Sequence, residues 1–142
     1  MLGERIEGFD GDYRFLSNFY PALVELDGIM YPSVEHAYQA AKTLDENERQ
    51  SILVLEKPGQ AKKAGREVTL RQDLEEVKMH VMLDLVRYKF YNCPDLKNKL
   101  LATGDAYIEE TNWWGDTFWG VCEGKGKNVL GTILMNVRAE LI

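Results

Sequence analysis

The sequence predicts a helix-dominated α+β fold, formed by a single domain over residues 1–142, and three observations lead to this. Apolar residues recur at helical spacing in most segments after residue 33. The first 32 residues instead mix aromatic residues with turn formers, which indicates short strands. A chain of 142 residues with 45% hydrophobic residues is long enough for one domain with its own core. The expected class therefore lies between α+β and nearly all-α.

A hairpin and a helix start are the clearest local signals. Asp27-Gly28 lies between the apolar triplets VEL and IMY, a pattern typical of a tight β-hairpin. Ser33 follows Pro32 and is the expected N-cap of a helix over SVEHAYQAAKTL. This helix carries one stripe of small and apolar residues. An adjacent stripe, at i, i+4 and i+7, consists of Glu35, Gln39 and Lys42.

The rest of the chain predicts five more helices and one strand. The helices are expected over 46–55, from Pro58 through GQAKKAGREVT, over 74–91, over 95–102, and over 132–141. The helix over 74–91 is the longest, and its second half, MHVMLDLVRYKFY, is apolar almost all round. We therefore expect that half in the centre of the core. AYIEET predicts a strand that leads into the tryptophan-rich residues 111–120.

The charge distribution limits the classes of partner. A net charge of −6 argues against a broad, non-specific grip on nucleic acid. Residues 57–72 nevertheless hold five basic residues, Lys62 and Arg66 among them, against Glu67 alone, which makes this segment +4. Such a segment suits one or two phosphates better than a long polymer. The alternative is a solvated helix surface.

The composition predicts a cytoplasmic protein without metal or cofactor. No apolar run reaches the length of a membrane helix, and the first ten residues lack an apolar signal region. The two cysteines, Cys93 and Cys122, lie far apart and match no metal-ligand spacing. Reduced thiols are therefore expected. The oligomeric state has no signal in the sequence.

Two carboxylates are the candidate catalytic groups. Glu35 lies in the first turn of its helix, where complementing the helix dipole is the simplest role; beside an apolar stripe it is also suited to acid–base work. Asp116 lies within TNWWGDTFWG, residues 111–120, which we call the tryptophan segment. The segment is either a core plug or the wall of a site. We expect the second, with Trp119 facing a ligand and Trp113 or Trp114 packed behind it.

Two further segments have both a plain and a functional interpretation. The glycine-rich residues 120–131 open a helix, so their backbone N–H groups could hold an anion, although a flexible connector is more common. In FLSNFYP, Ser17 and Asn18 lie between aromatic residues. They either bond to a local turn or present polar groups in a small-molecule pocket.

Several motifs occur together in one order. They are FLSNFYP, YPSVEHAYQAAK, PGQAKKAGR, LLATGD, DTFWG and GKNVLGTILMNVR. This set resembles the NADAR (YbiA-like) family and extends from about Gly8 to Arg138. One departure is Leu74, which follows Arg71-Gln72-Asp73 where many members have a tryptophan.

The resemblance implies a mostly helical α+β fold and N-glycosidase activity. The expected substrate is a phosphorylated ribosyl nucleotide: either a ribosylaminopyrimidine intermediate of riboflavin synthesis or ADP-ribose on guanine in nucleic acid. The motif residues that it assigns to the site are Glu35, Asp116, Trp119, Asn128, Arg138, Ser17, Asn18 and Phe19.

The expected chemistry is cleavage through an oxocarbenium-like ribose. Glu35 or Asp116 stabilises the cation or directs water, and Trp119 holds the base. Lys42, Lys62 and Arg66 bind the rest of the substrate. A non-catalytic sensor of NAD or ADP-ribose is the alternative, and a purely structural domain is the third interpretation.

Overall fold

The computed structural model describes residues 4–142 as a helix-dominated α+β fold, and so confirms the predicted class. The first three residues of the predicted domain lie outside the described part. Two units can be recognised, and each is described by itself. One comprises the residues up to Ser17 together with Phe90–Ile142, and the other comprises Asn18–Lys89.

Six α-helices, one 3-10 helix and six short strands are the regular elements of the described chain. The helices are α1 (Val34–Ala41), α2 (Glu46–Leu53), α3 (Pro58–Ala64), α4 (Leu74–Asn92), α5 (Pro94–Ala102) and α6 (Val129–Glu140). The strands are β1 (Arg5–Glu7), β2 (Val24–Leu26), β3 (Ile29–Tyr31), β4 (Tyr107–Glu109), β5 (Thr111–Asn112) and β6 (Val121–Cys122). No helix in residues 4–142 combines the length and hydropathy needed to cross a membrane.

Helix α1 is the central element of the unit 18–89. It contacts α2, α3, β2 and β3, and all eight of its residues are buried. The predicted hairpin before it is confirmed: β2 and β3 pair antiparallel through Asp27 and Gly28, whose φ angles of 50° and 84° suit a tight hairpin turn. The predicted cap is also confirmed, since the Ser33 side chain accepts a hydrogen bond from the His36 N–H at 3.1 Å.

Helix α4 corrects one prediction. Its second half buries one face, on which Met82, Leu85 and Val86 are each 1% exposed. Met79 and Tyr91, at the two ends of this half, are 52% and 51% exposed. The placement of this whole half in the core was therefore wrong, because apolar composition cannot tell a buried face from the many apolar atoms that proteins leave at the surface.

The other unit is built on two parallel strand pairs. Strand β1 pairs with β4, β5 pairs with β6, and α6 packs on β4. Gly131 permits this close packing, because a Cβ atom there would overlap the Ile108 carbonyl oxygen. A 3-10 helix at Gly11–Leu16 lies against α5 where only strands and turns were expected. It buries Phe15, whose ring packs edge-on against Phe90 at 6.4 Å.

Candidate functional site

Glu35 and five other polar residues form a group in the unit 18–89. Gln39 Nε2 donates to Glu35 Oε2 at 2.6 Å. The charge of Glu35 and the charges of three other cations, Lys62, Arg66 and Lys78, all act on the Lys42 ammonium. We call this group the Glu35 cluster; its members are Glu35, Gln39, Lys42, Lys62, Arg66 and Lys78. Lys42, a predicted substrate-binding residue, thus interacts with the predicted catalytic carboxylate, and two others, Lys62 and Arg66, act on Lys42.

The Glu35 side chain is held inside the unit. Its residue is only 7% exposed, and a buried carboxylate is costly unless it is hydrogen-bonded or paired. The Gln39 amide provides one hydrogen bond, and Lys42 provides an opposite charge. The Glu35 backbone N–H also donates to the Asn18 carbonyl oxygen at 3.1 Å. The carboxylate is thus positioned by both α1 and the residues before β2.

Lys42 is a half-buried cation of the cluster. Burial is the main cause that lowers the pKa of Lys42 below the ordinary value for lysine. The charge of Glu35 acts against this shift, while Arg66, Lys62 and Lys78 reinforce it by repulsion. The Lys42 ammonium also lies over the Tyr38 ring, 5.6 Å from its centroid. Several cations gathered at one place favour an anionic ligand.

The basic residues 57–72 divide into groups with different surroundings. The charges of Lys62, which is half-buried, and of Arg66, which is exposed, act on Lys42, whereas exposed Lys57 and Lys63 have no such effect on it. The Arg71 backbone N–H instead donates to the Lys42 carbonyl oxygen at 2.8 Å, which satisfies the C-terminal end of α1. The segment is therefore neither a uniform solvated face nor a uniform phosphate site.

The FLSNFYP residues fall in both units. Asn18 lies beside Glu35 through its carbonyl oxygen, and its Nδ2 faces Met82 Sδ at 3.5 Å. Phe19 is half-buried in the same unit. Ser17 belongs to the other unit, where its backbone N–H donates to the Arg14 carbonyl oxygen at 3.0 Å. Asn18 is thus the member of this motif that we connect to the cluster, through its backbone hydrogen bond with Glu35.

The tryptophan segment is not a core plug. Trp113 is 85% exposed, Trp114 is 47% exposed and Trp119 is half-buried. Of the two residues expected behind Trp119, Trp113 does not pack there, because it is largely in solvent and meets the Trp114 ring edge-on at 5.5 Å. Phe118 packs against Trp119 instead, with ring centroids 4.8 Å apart and nearly perpendicular planes.

Asn112 and Asp116 hold the backbone of this segment. Asn112 Oδ1 accepts from the Asp116 N–H at 3.0 Å, and Asn112 Nδ2 donates to the Asp116 carbonyl oxygen at 2.9 Å. Asp116 Oδ1 then accepts from the N–H groups of Phe118 and Trp119 at 3.1 and 2.9 Å. One carboxylate oxygen of Asp116 is therefore committed to shaping the turn that carries Trp119.

The start of α6 argues against the anion-site interpretation for the last part of residues 120–131. The backbone N–H groups of Val129 and Leu130 donate to the carbonyl oxygens of Phe118 and Trp119 at 3.1 and 2.9 Å. Those of 127 and 128 donate to Thr117 and Gly120. These four donors already have partners, so they do not form an anion site. They tie α6 to the tryptophan segment instead.

The asparagine at position 128 is explained by its hydrogen bonds within the fold. It is 5% exposed and adopts a left-handed φ of 53°. Its Oδ1 accepts from the Glu110 N–H at 2.9 Å, while its Nδ2 donates to the Ile108 carbonyl oxygen at 2.9 Å and to the Tyr107 hydroxyl at 3.3 Å. The side chain thus bridges α6 to the end of β4, and we assign it a supporting role.

Replacing Asn128 by alanine should destabilise the protein strongly. The change leaves the Glu110 N–H and the Ile108 carbonyl without their partner and puts a Cβ-bearing residue without polar atoms at positive φ. We expect the free energy of unfolding to fall by about 2–4 kcal/mol in urea titrations. Asn136→Ala, at an exposed position of the same helix, should change it by less than about 0.5 kcal/mol. A stable Asn128→Ala protein that binds no ligand would point instead to direct ligand contact.

Arg138, also assigned by the motif comparison, is buried in the same unit. Its Nη1 donates to Thr103 Oγ1 at 2.9 Å, and burial lowers the pKa of its guanidinium. This bond joins α6 to the end of α5, so its position is explained by packing within the unit.

Three residues, Gln39 and Lys78 of the Glu35 cluster and Asn112 of the tryptophan segment, were not predicted as site residues from the sequence. Gln39 had a usable signal, since it lies four positions after Glu35 on the same helical stripe. Lys78 had none, because only the path of α4 brings it near Lys42. Asn112 had none either, because its role depends on a tertiary turn. Within residues 4–142, no three His, Cys, Asp or Glu side chains gather closely enough to hold a metal ion.

The chain is similar to known proteins over almost its whole length. It is 40% identical over 134 residues to the N-glycosidase YbiA of Escherichia coli (strain K12), and the match covers 92% of this chain and 82% of that protein. It is 41% identical over 135 residues to a riboflavin biosynthesis protein of Vibrio vulnificus (strain YJ016). That match covers 93% of this chain but 36% of the longer Vibrio protein.

A solved structure and a family model agree with these matches. The NMR structure of the E. coli protein YbiA matches with a TM-score of 0.88 at 38% identity, covering 99% of this chain and 86% of that one. The model of the NADAR domain matches residues 7–142. The resemblance inferred from the motifs is thereby confirmed, and the chain belongs to the NADAR family.

Proposed function

We propose that the chain is an N-glycosidase that hydrolyses the N-glycosidic bond of a phosphorylated ribosyl nucleotide. The relatives named N-glycosidase support the reaction class. The observation that carries the proposal in this chain is the Glu35 cluster. It combines one buried, hydrogen-bonded carboxylate with Lys42, on which the charges of three further cations act, and this combination suits an anionic ribosyl substrate.

Glu35 has the chemical properties for the central step. As the bond from ribose C1 to the base nitrogen breaks, positive charge develops on the ribose and the electron pair leaves with the base. A carboxylate beside C1 stabilises this charge and accepts a proton from the attacking water. Burial strengthens the interaction because little solvent screens it. We therefore assign Glu35 to stabilising the ribosyl cation or activating water.

The cations of the cluster fit the phosphate of the substrate. Lys62 and Arg66 come from α3 and the turn after it, and Lys78 comes from α4. Their charges converge on Lys42, where a phosphate would relieve the mutual repulsion. The net charge of −6 and the small extent of this basic patch favour a single nucleotide over a long nucleic acid. We therefore rank a ribosylaminopyrimidine phosphate above ADP-ribosylated guanine in nucleic acid.

Trp119 is the proposed platform for a nucleobase. Its backbone is fixed on both sides, by the N–H bond to Asp116 Oδ1 and by its carbonyl bond to the Leu130 N–H. Phe118 packs edge-on against its ring. A pre-positioned indole loses little freedom when a base stacks on it. For Asp116 we propose ribose binding through Oδ2, which has no hydrogen bond to a described residue.

Replacing Trp119 by alanine should weaken ligand binding about ten- to a hundredfold, because base stacking is worth roughly 1–3 kcal/mol. Calorimetric titration with ADP-ribose measures this, and the melting temperature should change little. Trp113→Ala is the matched control: its ring is mostly in solvent, so binding and stability should both stay near the wild type. Equal affinities for Trp119→Ala and the wild type would exclude the platform role.

The reaction itself is tested by product release. Purified protein is incubated separately with a ribosylaminopyrimidine phosphate and with an oligonucleotide that carries ADP-ribosylated guanine, and released base is separated by chromatography. We expect release from the ribosylaminopyrimidine. Binding of both probes without any product over long incubation would instead establish the non-catalytic sensor. Free Cys93 and Cys122 agree with the cytoplasmic location that we propose for this enzyme.

A further inference from the structure

Gln39 carries an orphaned atom in the Glu35 cluster. Its Nε2 donates to Glu35 Oε2 at 2.6 Å, whereas its Oε1 is buried and has no hydrogen-bond partner among the described residues. Buried polar atoms are nearly always paired, so this oxygen needs an explanation. An unpaired buried acceptor destabilises the fold. A stronger favourable interaction must therefore hold the Gln39 amide in this orientation.

The ionised carboxylate of Glu35 provides that explanation. An amide turned by 180° would point its oxygen at the carboxylate, and two acceptors repel each other. The turned amide would suit a protonated Glu35, whose O–H could donate to Gln39 Oε1. The observed orientation therefore matches the carboxylate form of Glu35, and it stabilises that form by a charge-assisted hydrogen bond.

Gly65 makes room for this orientation. It is buried at the end of α3 with a φ of −61°, which any residue can adopt. A Cβ atom there would overlap Gln39 Oε1 and would lie 2.7 Å from Gln39 Cδ. Alanine at this position would thus be tolerated by its own backbone but would displace the Gln39 amide.

We propose that Gln39, supported by Gly65, is a positioning residue that keeps Glu35 ionised and holds its carboxylate in one orientation. This inference rests on the proposed function, in which Glu35 acts as a carboxylate. In this proposal Gln39 affects the reaction only through Glu35, because it determines the protonation state and the orientation of the Glu35 carboxylate.

A test of this proposal must leave the other charged groups near α1 unchanged. Lys42 on the same helix, Lys62 and Arg66 from the α3 region and Lys78 from α4 all belong to the cluster. Lys78 also pairs with Glu75 at 2.8 Å. The remaining charges on the elements packed against α1 are either bonded elsewhere, Glu48 with Thr43 and Thr69 and Arg49 with Asp27, or exposed, as are Glu25, Glu46 and Lys63. The His36 ring is bonded to Ser33 and to the Leu55 carbonyl oxygen. Substitutions at 39 and 65 leave all these groups unchanged.

The test is a carbon-13 NMR titration of the glutamate carboxyl groups in the full chain without substrate. The Glu35 signal is identified by its loss in Glu35→Gln. We expect the titration midpoint of Glu35 to rise by about one pH unit or more in Gln39→Leu, because the carboxylate loses the hydrogen bond from Gln39 Nε2. Gly65→Ala should raise it in the same direction without altering any polar group. Gly59→Ala, in the same helix, should leave the midpoint unchanged, because a Cβ atom at Gly59 would meet no other atom within 4 Å.

Turnover provides a second readout. The acid limb of the pH profile of kcat should move upward with the titration midpoint, while KM changes little, because the substrate contacts remain. Unchanged titration of Glu35 in folded Gln39→Leu and Gly65→Ala proteins overturns the positioning role. If the wild type releases no base from any probe, the proposed function fails, yet the titration still decides the role of Gln39. Should Gln39→Leu fail to fold, Gly65→Ala alone decides it.

Discussion

Glu35→Gln should lower turnover by at least about a hundredfold while the protein remains folded. Removal of a positioned acid or base costs roughly 10²–10⁴ in rate. The uncharged amide cannot stabilise the ribosyl cation as a carboxylate does, and it cannot accept a proton from water. The fold should survive because the new side chain has nearly the same size and its oxygen can still accept from Gln39 Nε2.

The measurement is kcat for base release, with circular dichroism melting as the check on folding. Glu46→Gln is the matched control, because Glu46 lies in the first turn of α2 but is exposed. It tests the general effect of removing a carboxylate from a helix start, and its turnover should equal that of the wild type. Wild-type turnover in Glu35→Gln would show that the catalytic group lies elsewhere.

Lys42→Met should also reduce turnover by about a hundredfold, without lowering the melting temperature. Loss of one partner in a desolvated charge interaction with the substrate costs about 2–5 kcal/mol. Stability should not fall, because burial disfavours the charged form of Lys42 in the folded state. The unfolded chain binds this proton more tightly. Stability therefore rises with pH between the lowered pKa and the ordinary value for lysine, and Lys42→Met should flatten that rise.

Two roles of Lys42 predict different results for Lys42→Arg. If its charge binds phosphate, arginine keeps much of the activity, and substrate affinity of the wild type falls as the pH passes the lowered pKa. If its neutral amine attacks ribose C1 and displaces the base, arginine is inactive, and the rate rises in that pH range. Borohydride would then trap an adduct visible by mass spectrometry. Lys63→Met, at an exposed position of α3, is the control for losing a lysine.

Local signals determined most of the secondary structure. The hairpin at Asp27-Gly28, the cap at Ser33 and the helix start at Pro58 all depend on backbone preferences of a few adjacent residues. Such preferences act in any context, and the structure confirms them. The 3-10 helix at Gly11–Leu16 was missed, because its place depends on burial of Phe15 and Leu16 in its unit.

The sequence by itself also determined the family, and with it Glu35 as a candidate, because ordered motifs over the whole chain are more specific than any single residue. Only the tertiary structure decided which polar residues surround Glu35. Lys78 is 43 positions away in sequence, and α4 brings it to the cluster. Likewise, Asn128 looked like a ligand-binding residue, but its three hydrogen bonds reach back to residues 107–110. Residues that are so far apart in sequence show no periodic pattern that would reveal their contact, since the packing of whole helices and strands determines where their side chains meet.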